Sequence, residues 1–102
     1  MAVIDYDKFP SPHVLSAVMR YIEEGIPPGD FLKAVICNKL KESFMWADET
    51  NIANMFGIVS WMYNHAPLQC WGSEEKMRAW LESGGLKGQE EAESRETEKR
   101  FA

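Results

Sequence analysis

The stretch DETNIANMFGIVSWMYNHAP, Asp48 to Pro67, decides the fold. Ile52, Met55, Phe56, Val59, Met62 and Tyr63 recur in it at steps of three and four, the period of a helix with one buried side. Asp48 stands where an N-cap belongs, and Glu49 follows in the first turn, where negative charge is favoured. Asn51 is placed to close that cap reciprocally, and Pro67 forces the stop. Gly57 inside the run costs about 1 kcal/mol against alanine, which predicts close packing of a neighbouring helix.

Helical signals continue on both sides. Upstream, Ser11-Pro12 supplies a cap and a proline at the first helical position. Val14, Leu15, Val18, Tyr21 and Ile22 then repeat at helical spacing, and Gly25 followed by Pro27 ends the run. A second helix is predicted from Pro28-Gly29-Asp30 to Trp46-Ala47, with Leu32, Ile36, Leu40 and Phe44 every four residues and Lys33, Lys39, Lys41 and Glu42 on its other faces. Downstream, Ser73 caps a short helix through Glu74, Met77, Trp80 and Leu81 to Gly84. No segment alternates with period two, and no Asn-Gly hairpin signal occurs. The expected class is all-α: a compact bundle of about four helices over residues 1–86, with a short charged C-terminal tail, 87–102, that is flexible or a frayed helix. Leu32, Ile36, Leu40, Phe56, Val59 and Leu81 are expected to be buried together.

Composition excludes several functions. Of 102 residues, 11 are basic and 16 acidic, so the net charge of −5 does not suit a nucleic-acid binder, which needs cations to displace counterions. No apolar run reaches the ~18–20 residues of a membrane span. The first eight residues carry two aspartates and no basic-then-apolar pattern, so no secretory signal is expected. Four tryptophans, five phenylalanines and six methionines are a large apolar load for so small a bundle, and a homo-oligomer is expected.

Catalytic and metal constellations are missing from the sequence. Cys37 and Cys70 form neither a disulfide framework nor a zinc motif with His13 or His65. Cys37 reads as a buried thiol, while Cys70, in a turn, is expected to be partly exposed. Asp30, Asp48 and Glu49 are accounted for by helix starts. Neither an enzyme nor a bound cofactor or metal is expected. Candidate binding residues lie instead at two loop ends: Trp46 and Asn51 in one cluster, Asn64, His65 and Trp71 in the other. Lys33 represents the one local concentration of positive charge. Capping and packing offer a plainer account of each.

The segments Pro27-Pro28-Gly29-Asp30-Phe31-Leu32, Ala47-Asp48-Glu49-Thr50-Asn51, Tyr63-Asn64-His65-Ala66-Pro67 and Cys70-Trp71-Gly72-Ser73 occur in that order across about two thirds of the chain. In these the chain resembles a family of small proteins encoded by tailed phages and prophages. The resemblance carries no assigned activity and therefore no functional residue. It implies a short accessory protein in the cytoplasm of a bacterial host. The expectation is a binding protein of counter-defence or host takeover, which sequesters a small signalling nucleotide or occludes a host defence protein. The alternative is a structural or regulatory protein of phage development that binds a phage protein.

Overall fold

The computed structural model describes the backbone of residues 4–101 and, among these, the side chains of residues 4–94. Seven α-helices and two single 3-10 turns fill the described residues, and no strand occurs among them. Helix α1, Pro12–Glu24, starts at Ser11 and stops at Gly25, whose φ of 68° is the left-handed conformation that glycine adopts without cost. It buries Val14, Val18, Tyr21 and Ile22, the predicted stripe.

The bundle has more helices than the expected four or so, because two predicted helices each break in two and the charged segment is itself helical. The predicted second helix divides into α2, Asp30–Ile36, and α3, Leu40–Trp46. Asn38 takes a positive φ of 59° between them, and Lys39 N–H closes the turn onto the carbonyl of Ala34. Asparagine is the residue type besides glycine that enters this region most readily. The predicted third helix divides into α4, Glu49–Ala53, and α5, Met55–His65. At the joint, Asn54 turns its side-chain amide back onto the carbonyl of Thr50 at 2.8 Å.

The two breaks re-aim the apolar faces and overturn half of the expected core. Leu32 and Ile36 are buried and Leu81 is partly so. Leu40, Phe56 and Val59, however, are 73%, 87% and 40% exposed. Helix α5 buries Met55, Ile58, Trp61 and Met62 instead. That set also recurs at helical spacing, so periodicity alone did not choose between the two faces. Cys70, expected to be partly exposed, is fully buried. Gly57 does admit a close neighbour, but it is Pro10 of the N-terminal segment rather than a helix.

Helix α6, Glu74–Ser83, follows the Ser73 cap, whose hydroxyl accepts the Lys76 N–H. Gly84 and Gly85 then turn the chain into α7, Gly85–Phe101, with φ of 76° and 71°. The sequence division at 86/87 falls inside α7, which returns along α1. Lys87 reaches Glu24 at 3.4 Å, and Gln89 donates to Ser83.

Helix α1 is the post on which the chain is assembled. The Tyr21 hydroxyl donates to the Cys70 carbonyl at 2.6 Å, and the Trp80 indole N–H donates to the Tyr21 carbonyl at 3.0 Å. Tyr6 donates to Glu23 at 2.8 Å, while the N-terminal segment straps α5 through the Trp61 N–H on the Asp5 carbonyl. Phe9 meets the Trp61 ring edge-on at 5.1 Å. The polar tips of Tyr6, Tyr21, Trp61 and Trp80 thus each have a partner, as an aromatic in a core requires.

Candidate functional site

The structure brings two of the predicted site residues into one cleft and distributes the rest. Helix α2 buries five of its seven side chains, which leaves Lys33 on the open side. The Asn38 turn sends α3 back so that Lys39, Glu42 and Trp46, on one face of it, stand across from Asp30 and Lys33. The cleft between them holds about 140 Å³, with Ala34 and Cys37 deeper in it. Trp46 is 57% exposed.

Charges of both signs line this cleft. Glu74, at the start of α6, lies 3.7 Å from Lys39 and 2.9 Å from Arg78. The Arg78 guanidinium first, and Lys39 second, hold its carboxyl below the usual range. Cys37 points its thiol at the Met77 sulfur, 3.6 Å away. Burial pushes that thiol up, against the opposing pull of Lys39 and Lys33. It stays protonated at neutral pH, the form that neither attacks carbon nor binds metal well. No group of three or more metal-ligating side chains converges among the described residues.

Asn64 and His65 lie at the far end of α5. The Asn64 amide donates to the Ser60 carbonyl and hydroxyl at 2.8 and 3.3 Å, and so is turned back onto its own helix. His65 lies tilted on Trp61 with ring centres 5.8 Å apart. Both border a shallow cavity of about 240 Å³ shared with Lys8, Pro10 and Phe56.

Asn51 is only 5% exposed. Its backbone N–H donates to Asp48 Oδ1 at 2.8 Å, while its own Oδ1 is buried without a hydrogen-bond partner among the described residues. The cap is therefore Asp48 alone, which also holds His13 at 3.2 Å.

Trp71 is half-buried against the core and lines a third feature that the sequence reading missed. This is an apolar groove of about 160 Å³ between α3 and α5, bordered by Leu40, Phe44, Met55, Phe56 and Val59. Phe44 in its wall is 46% exposed, and Tyr63, on the same stripe of α5 as Phe56 and Val59 by helical spacing, is 73% exposed. The signal was present in α5, which is apolar on nearly every side. A helix of that kind either lies wholly inside a core or leaves an apolar face open.

Of the six predicted site residues, then, Lys33 and Trp46 line one cleft. Asn64 and His65 adjoin each other elsewhere, Trp71 lies in the groove, and Asn51 is interior. No described helix is long and apolar enough to cross a membrane. No protein-family model, no curated protein and no solved structure matches the chain.

Proposed function

We propose that this chain is a non-enzymatic, phage-derived binding protein of counter-defence or host takeover, which occludes a host protein in the bacterial cytoplasm. The phage origin rests on the sequence resemblance. The observation that carries the binding reading is Trp46, 57% open to solvent in a cleft lined by both lysines and carboxylates. Hot spots of protein–protein interfaces are enriched in tryptophan and are surrounded by a polar rim, and Trp46 has this setting. Sequestration of a small signalling nucleotide draws less support. Asp30, Glu42 and Glu74 share the cleft with Lys33 and Lys39 and oppose a phosphate, and Asn51, Asn64 and His65 lie elsewhere.

Native mass spectrometry of the chain purified from host cells, with and without phage genes expressed, tests this reading. A host protein that co-purifies with the wild type and is lost with Trp46→Ala supports it, provided the melting temperature is unchanged. A partner that appears only when phage genes are expressed selects the alternative, an accessory protein of phage development. A bound nucleotide in place of a protein selects sequestration.

A further inference from the structure

We propose that a second copy of this chain covers the groove between α3 and α5, as a two-fold dimer in which each chain's Phe56 enters the other's groove. The inference stands apart from the Trp46 cleft, with which the groove shares only Lys39.

Three observations select a second copy as the occupant. First, the face carries a knob beside a hole. Phe56 projects with 87% of its surface open, next to a groove of about 160 Å³ walled by Val35, Met55, Val59 and Trp71. An apolar cavity of about 150 Å³ accommodates a benzene ring, so the hole is the size of the knob. A two-fold interface requires that a surface complement itself in this way, with residue i meeting j and j meeting i.

Second, the area suffices. Phe44, Phe56 and Tyr63 expose 46%, 87% and 73% of their surfaces. This is roughly 400 Å² when a whole aromatic side chain presents about 150–250 Å². Leu40 and Val59 bring the apolar total to roughly 600 Å², and a stable interface takes about 800 Å² from each partner with its polar rim included. Third, no carboxylate lines the groove, and its one cation, Lys39, is within 3.7 Å of Glu74. Two chains of net charge −5 can therefore meet here without opposing acidic side chains. The stripes Leu40/Phe44 and Phe56/Val59/Tyr63 then pair as a four-helix layer.

Sedimentation equilibrium at micromolar concentration reads the outcome. The wild type is expected at twice 11.7 kDa. Phe56→Glu and, separately, Leu40→Glu are expected at 11.7 kDa with an unchanged helical circular-dichroism spectrum, since both side chains are exposed in the single chain. A monomeric wild type overturns the proposal, and so does a dimer that survives both substitutions. A host protein found on this face by native mass spectrometry, displaced by Phe56→Glu, assigns the groove to a different occupant and also overturns it.

Discussion

Gly25 and Gly85 meet backbone to backbone: a methyl group on Gly85 would stand 2.7 Å from the Gly25 nitrogen, and one on Gly25 would stand 2.8 Å from the Gly85 nitrogen. The contact joins the end of α1 to the start of α7, and both residues are in the left-handed region. Alanine at either position adds about 1–2 kcal/mol of backbone strain to a clash with main chain that has no side chain to move aside. Gly25→Ala and Gly85→Ala are expected to destabilise by more than about 2 kcal/mol in urea unfolding. Gly29→Ala, where the methyl meets open space, is expected to stay within about 0.5 kcal/mol.

The choice of core face on α5 is measurable. Ile58 and Met62 are 0% and 1% exposed, and truncating either to alanine is expected to cost about 2–5 kcal/mol. Phe56→Ala, measured at a concentration too dilute for dimers, is expected to change stability by no more than about 0.5 kcal/mol. A large loss from Phe56→Ala under these conditions would return Phe56 to the core.

Asp48 is the one side chain that caps α4, through the Asn51 N–H, and it also holds His13. Asp48→Ala is expected to cost about 0.5–2 kcal/mol by thermal melting, the usual worth of a cap. Asp48→Asn, which keeps the acceptor, should recover most of that loss.

Stability is expected to fall at alkaline pH. Burial pushes the Cys70 thiol from 9.0 up to about 12, and burial also raises Tyr21 and Tyr6, the latter with help from Glu23. A raised pKa means that the folded chain holds its proton more tightly than the unfolded chain. The stabilisation is therefore complete below the unfolded value and is lost as pH climbs toward the folded one. The melting temperature should hold up to about pH 8.5 and decline above it, with the two cysteines, Cys70 and Cys37, titrating first in the unfolded state. Cys70→Ala is expected to melt lower at neutral pH because of its cavity, and to decline less steeply above about pH 8.5, where Cys37, whose thiol burial also raises, still titrates before the tyrosines. Identical pH profiles for the two proteins would remove Cys70 from this account.

Helix starts and stops were legible because their chemistry is local. Asp48 and Ser73 cap helices, and Gly25 and Gly84 close them, as the sequence reading placed them; α1 also starts at Ser11, but there the proline marks the start, since the Ser11 hydroxyl is buried and makes no capping bond. The breaks at Asn38 and Asn54 were not. Each sits within an unbroken apolar repeat, and an asparagine in a helical run signals a turn only when tertiary packing rewards one. Those two breaks also set the surface. They turn Leu40 and Phe56 outward and place Trp46 and Lys33, thirteen positions apart, in one cleft, which no spacing in the sequence announces. Asn64 was not legible either. The expectation that it satisfies an open carbonyl at the helix end is not met, because its amide folds back one turn onto Ser60, whose carbonyl lies inside the helical ladder.

The four tryptophans are unequally placed, and this gives the chain its own optical reporter. Trp61 and Trp80 are sealed at 3% and 4% exposure with their N–H groups on carbonyls, Trp71 is half-covered, and Trp46 alone stands mostly in water. A soluble quencher of indole fluorescence would thus extinguish the Trp46 emission first and leave a shorter-wavelength remainder from the interior rings. Whatever seats itself on the cleft beside Lys33 shields that one ring, so occupancy can be followed by light without a label.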